Sequence, residues 1–261
     1  MRLVSHIFFS QPLFTEAQLD GLQAILNDLL PFWTKGLRVA RYEHSPDKEL
    51  VGRDNRLFDR LYHAAPPKRT LGEAVLTGVY SGLSFYLSHC QGTLPPVLND
   101  MSVEVYELAR IEGKRAFDTT RDLFEAFVTR LPVRYANVRS SDEYDAKNIL
   151  DDDSGVQAIG ADIEVAIPGL YWLNYFGPPY VEMLGRERLL TAPAFEAKAL
   201  GDGVLLALDE SPEAWQQPSY RQREQDVVNH LGPHYFFSRR DPDRKTIAPD
   251  FYAFRAREQN P

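Results

Sequence analysis

The tripeptide Gly201-Asp202-Gly203 narrows what this chain can fold into more than any other feature. Glycine takes positive φ without steric cost. Gly-Asp-Gly between the runs 195–200 and 204–208 therefore predicts a tight β-hairpin. Residues 204–208 are apolar at every position, which places that strand centrally in a sheet with both faces covered. The sheet must then be at least partly antiparallel.

The remaining pattern mixes strands and helices irregularly. Residues 3–9 read as a short apolar strand. Thr15-x-x-Gln18 has the form of a capping box, followed by Leu19, Leu22, Leu26 and Leu29 at helical spacing up to Pro31. A second helix is expected from Thr70-x-x-Glu73, carrying Ala74, Val75, Val79, Leu83 and Leu87. Residues 103–108 are β-rich. A helix over 120–131 sets Leu123, Phe124, Phe127, Val128 and Leu131 on one face, and Pro132 closes it before a strand over 133–138. Asp162 to Ile167 alternates as a half-buried strand does. Residues 170–176 form an aromatic strand, a short helix spans 180–184 up to Gly185, and Ser211-Pro212 and Pro218-Ser219 begin helices, the last reaching Leu231. This order predicts an α+β fold with a mixed or mainly antiparallel sheet packed with helices. It is read as a single α+β domain over 1–261, with a subdivision near 140–160 left open.

Composition excludes several classes. One cysteine, Cys90, cannot form an internal disulfide, so the fold does not depend on oxidising conditions. The N-terminal residues are too short and polar a run for a signal-peptide core, and the longest uncharged stretch, 165–181, is broken by Pro168, Gly169, Gly177, Pro178 and Pro179. A cytoplasmic location without membrane contact is expected. With 37 acidic against 29 basic residues, the net charge is −8. There is no phosphate-neutralising excess, which argues against direct nucleic-acid binding and suits a basic protein partner.

Candidate chemistry is sparse. His230 and His234 are four apart, but Gly232 and Pro233 should break any helix carrying them, so a structural role is preferred to zinc binding. Gly78-Val79-Tyr80-Ser81-Gly82 lacks the spacing of a nucleophile elbow and falls inside the expected second helix. His89 and Cys90 are sequence neighbours whose side chains diverge, leaving an inert thiol. Gly201-Asp202-Gly203 lacks the lysine and hydroxyl residue of a phosphate loop. Glu196-Ala197-Lys198 and Glu112-Gly113-Lys114 match half of a metal-dependent nuclease site, in which carboxylates hold magnesium and lysine polarises water. The missing aspartate could be Asp162 or Asp100, neither well placed. No catalytic, cofactor or metal residue is assigned, and a non-enzymatic role is expected.

The densest unusual feature is acidic. Asp142, Glu143, Asp145, Asp151, Asp152 and Asp153 face only Lys147 over twelve positions. Consecutive carboxylates resist burial. The segment is therefore expected as an exposed loop or frayed terminus, either simply solvated or serving as a docking surface for a basic partner.

Residues 170–179, Leu-Tyr-Trp-Leu-Asn-Tyr-Phe-Gly-Pro-Pro, are followed by Val181, Leu184-Gly185 and Leu200-Gly201-Asp202-Gly203-Val204-Leu205-Leu206. This order resembles bacterial immunity proteins that guard against contact-dependent toxins, most closely the Immunity protein 52 family, over about residues 170 to 212. The resemblance implies a cytoplasmic antitoxin of a type VI secretion system whose partner is a nuclease toxin of the restriction-endonuclease fold. It carries over no catalytic residues. Tyr171 and Tyr175 alternate with Trp172 along the aromatic strand, and their expected role is core packing. The alternatives are a metal-dependent nuclease using Glu196 and Lys198, and an adaptor with a non-toxin partner.

Overall fold

The computed structural model describes residues 1–9, 24–25, 37–42, 72–78, 83–89, 99–105, 114–153 and 155–259. The chain divides into two compact units, Met1–Val133 and Arg134–Pro261. The division falls ahead of the 140–160 segment at which the sequence allowed one.

In the first unit, strands β1 (Leu3–Phe9), β2 (Leu37–Tyr42), β3 (Gly72–Gly78), β4 (Leu83–His89) and β5 (Asn99–Val105) pair antiparallel in the order β1-β5-β4-β3-β2. Leu3, Ile7 and Phe9 of β1 and Met101 and Val103 of β5 are fully buried. Helix α1 (Lys114–Arg130) follows, and its buried face is the predicted one: Leu123, Phe124, Phe127 and Val128, continued by Leu131. These residues recur at the helical three-to-four spacing, which makes one apolar stripe.

The helix expected from Thr70 is corrected. Residues 72–78 and 83–89 are antiparallel strands, paired from Gly72 with His89 to Thr77 with Ser84. Spacings of four fit a helical turn, but they are also two repeats of the strand period. The sequence Leu-Ser-Phe-Tyr-Leu-Ser alternates with period two, and that periodicity prevails. Of the first expected helix, residues 24 and 25 are helical and Ile25 is buried; Thr15 and Gln18 lie outside the described residues.

The second unit contains β6 (Val133–Ser140), α2 (Ser141–Asn148), β7 (Ile149–Asp152), β8 (Gly155–Ala158), β9 (Leu173–Phe176), α3 (Pro178–Leu184), α4 (Arg186–Leu190), β10 (Glu196–Leu200), β11 (Gly203–Ala207), α5 (Pro218–Leu231) and α6 (Phe251–Gln259). A 3-10 turn over Pro212–Gln216 is capped by Ser211, whose Oγ accepts from Glu213 N. The sheet order is β10-β11-β9-β6, antiparallel throughout. The architecture is α+β, as the sequence predicts. β11 lies between β10 and β9 with all five residues buried, the central position its apolar run requires.

Side-chain competition for the backbone sets two further departures. Residues 162–167 make a turn rather than a strand. Asp162 Oδ1 accepts from Glu164 N at 2.9 Å and Asp162 O accepts from Val165 N and Ala166 N, so only Ile167 enters a bridge, with Phe236. The aromatic strand begins at Leu173 rather than Leu170. The Asn174 amide accepts from Tyr171 N at 2.9 Å and donates to Tyr171 O at 2.8 Å, folding the entry back on itself.

Tyr135 of β6, Phe176 of β9, Tyr180 of α3 and Phe251 of α6 form a chain of rings with centroids 5.3–5.8 Å apart. Such tilted and edge-on contacts add to the area they bury. Arg134 pairs with Glu258 and lies 5.0 Å from the Phe254 ring, fixing α6 to β6. Among the described residues, no helix is long and apolar enough to cross a membrane.

Candidate interaction surface

Of the acidic residues, Asp142, Glu143 and Asp145 lie on α2 and Asp151 and Asp152 on β7. These are in regular structure rather than a loop, and Asp153 lies in the turn that follows. Ser140 caps α2, its Oγ accepting from Glu143 N at 3.1 Å, and Asp142 and Glu143 in the first turn suit the positive end of the helix dipole. Arg239 Nη1 donates to Ala146 O at 2.7 Å, satisfying a carbonyl at the other end. β7 and β8 then form a two-stranded sheet of their own, pairing Ile149 with Ala158 through Asp152 with Gly155.

Asp142, Asp145, Asp151, Asp152 and Asp153 are exposed. Glu143 is not: its exposure is 0%, so the expectation that it belongs to an exposed acidic run is corrected. The physical reason is a set of partners distant in sequence. Lys147 Nζ donates to Glu143 Oε1 at 2.8 Å, to Glu224 Oε1 of α5 at 2.8 Å and to Leu170 O at 2.6 Å, which satisfies its three donors. Tyr220 Oη donates to Glu143 Oε1 at 2.9 Å. The Tyr171 ring lies 5.1 Å from Lys147 Nζ, a cation–π distance. No donor among the described residues reaches Glu143 Oε2.

Burial raises the Glu143 pKa, against the opposing pull of Lys147. For Lys147, burial alone would lower it, but the two carboxylates outweigh burial and hold it above the ordinary lysine value. One charged cluster thereby joins α2, α5 and the chain entering β9.

Asn148, also fully buried, ends α2. Its Nδ2 donates to Ile159 O and Pro168 O, each at 3.1 Å, and its Oδ1 accepts from Tyr171 Oη at 2.6 Å. Arg139 lies 4.2 Å from the Tyr144 ring and donates to Asn137 Oδ1. Tyr171, Trp172 and Tyr175 are buried to within 2%, so core packing accounts for all three.

The other candidates are dispersed. Glu196 and Lys198 pair with each other at 3.4 Å on β10. Asp162 caps its own turn, and Asp100 bonds His6 at 2.9 Å in the first unit. Lys114 opens α1, while Glu112 and Gly113 lie outside the described residues, as do Val79 to Gly82 and Cys90. His230 lies in the last turn of α5 and donates from Nε2 to Arg188 O at 2.9 Å. His234 lies beyond Gly232, with its ring 4.1 Å from that of Tyr235. Among the described residues, no three His, Cys, Asp or Glu side chains gather as a metal site requires.

The Lys147 cluster and Asn148 were not singled out from the sequence. The available signals were Ser140-x-x-Glu143, a capping pattern, and Glu143 four residues before Lys147, a helical ion-pair spacing. Neither reveals Tyr220 or Glu224, which lie about 75 residues further along.

No family model matches the chain, and no curated protein matches it in sequence. Among solved structures, it is similar to the Pseudomonas aeruginosa T6SS protein PA0821, with a TM-score of 0.54 and 15% sequence identity, over 86% of this chain and 72% of that one. At that identity the likeness is one of fold.

Proposed function

We propose that this chain is an immunity protein that binds a secreted nuclease toxin of a type VI secretion system and blocks it stoichiometrically in the cytoplasm. The observation that carries the reading is the display of exposed carboxylates, Asp142, Asp145, Asp151, Asp152 and Asp153, on a helix and hairpin whose buried residues are tied into the core. Cationic side chains that grip phosphate in a nuclease would meet these carboxylates in place of nucleic acid. The resemblance of residues 170–212 to the Immunity protein 52 family supports this reading. So does a fold similar to that of a protein titled a T6SS protein.

Co-purification with the product of the neighbouring gene, followed by survival of cells expressing that product, tests the function. Failure to bind or to protect overturns it. Replacing Asp151, Asp152 and Asp153 together with alanine should slow association about tenfold at low salt and much less at high salt, because steering is screened. Unchanged stopped-flow association rates would remove the hairpin from the interface. Incubation with DNA and magnesium separates the immunity reading from a Glu196–Lys198 nuclease. Cleavage that is abolished by Glu196→Ala would establish the enzyme instead.

A further inference from the structure

Asn148 ties together the end of α2, the residue after β8, the segment at Pro168 and the chain entering β9. Its amide does so through Ile159 O, Pro168 O and Tyr171 Oη, and its own carbonyl accepts from Ile159 N at 2.7 Å. The hairpin beyond it is differently placed. β8 is exposed at every position, Val156 is 71% exposed, and β7 and β8 form a sheet of two strands. A two-stranded hairpin alone is marginal in water. The shape of this one therefore depends on how its root is held. The root is a side chain with both donors and its acceptor engaged at full burial, where an unmet polar group would be costly.

We propose that Asn148 is a positioning residue for partner binding: it locks the β7–β8 hairpin to the core, so that Asp151, Asp152 and Asp153 are presented pre-formed to a basic protein surface. The proposal rests on the docking reading given above. Ordering an arm before encounter removes that ordering cost from association. Charge, which sets the encounter rate, is untouched by Asn148, so its effect belongs in the lifetime of the complex.

Two variants test this. Asn148→Leu keeps a similar volume and removes all three side-chain hydrogen bonds; Tyr171→Phe removes the one from Tyr171 Oη. By amide hydrogen exchange on the full chain, residues 150–158 should exchange about tenfold faster or more in Asn148→Leu, and several-fold faster in Tyr171→Phe. Amides of β9 and β11 should keep their protection. Unchanged exchange in the hairpin, or equal acceleration in hairpin and sheet, overturns the proposal. If Asn148→Leu does not fold, the same two outcomes in Tyr171→Phe decide.

The second measurement uses the purified product of the neighbouring gene, the toxin of the proposed function. Dissociation about tenfold faster, with association within about twofold of the parent chain, supports positioning. Equal residence times overturn it. A parent chain that does not bind the toxin removes the docking reading itself, and the exchange measurement still decides whether Asn148 holds the hairpin.

Discussion

Lys147 shows how much a single residue can decide. It neutralises Glu143 and Glu224 at once, and Glu143 has no exposure to water. Lys147→Met should cost about 3 kcal/mol in chemical denaturation, the lower end for breaking a buried pair, since the Lys147 side chain keeps 22% exposure. Glu143 gives a pH signature. Its folded pKa is raised above the ordinary 4.5, so between 4.5 and the raised value the native state holds a proton that the unfolded chain has released. Above that value Glu143 is the carboxylate that pairs with Lys147. Stability from this group is present below about 4.5 and is lost as pH rises through the raised value. Glu143→Gln should flatten that limb of the curve of unfolding free energy against pH; a curve of unchanged slope would contradict the shift. Gly203 is a third case. A Cβ there would run into Phe176 O and the Tyr175 ring, both backbone-anchored or fully packed. Gly203→Ala should destabilise by about 2–3 kcal/mol, read as a lower denaturation midpoint. The sequence made Gly203 conspicuous as a turn residue, but its packing role needed Tyr175 and Phe176 across the sheet.

At the scale of elements, legibility followed the uniqueness of the local signal. The β10–β11 hairpin, α1, the capped start at Ser211 and the proline-led start at Pro218 were readable because glycine, proline and apolar periodicity each admit one local solution there. β3 and β4 were misread because a spacing of four satisfies helix and strand alike. The acidic segment was misread for a different reason. Its helix is weakly amphipathic by composition, and the residues that stabilise it lie on α5 and at 168–171. No local pattern encodes those contacts. α6 went unpredicted because its anchors, Phe251 on Tyr180 and Arg134 with Glu258, are also remote. Phe251→Ala should cost about 3 kcal/mol, a typical loss for a buried ring, with a matching drop in the thermal midpoint.

At the scale of the whole molecule, the second unit is built around buried phenols. Burial raises the pKa of Tyr135, Tyr171, Tyr180 and Tyr220, and it pushes Tyr175 up to about 12. The unfolded chain ionises tyrosine near 10, so this stabilisation is complete below about pH 10 and is lost as pH rises through the raised values, about 12 for Tyr175 and higher for the others. Phenolate absorbance should therefore rise late and together with the loss of circular dichroism. Early ionisation of all the tyrosines, with the fold intact, would contradict that burial. The fold class was visible from the sequence because it depends on element type and order. The division at 133/134 was not, because it depends on which elements pack together. Between residues 140 and 158, side chains that hold the fold, Ser140, Glu143, Lys147 and Asn148, alternate with carboxylates that face water. Two vocabularies are thus written in one stretch of chain. The outward letters can be rewritten without touching the inward ones, so the surface charge is free to change while the scaffold stays the same.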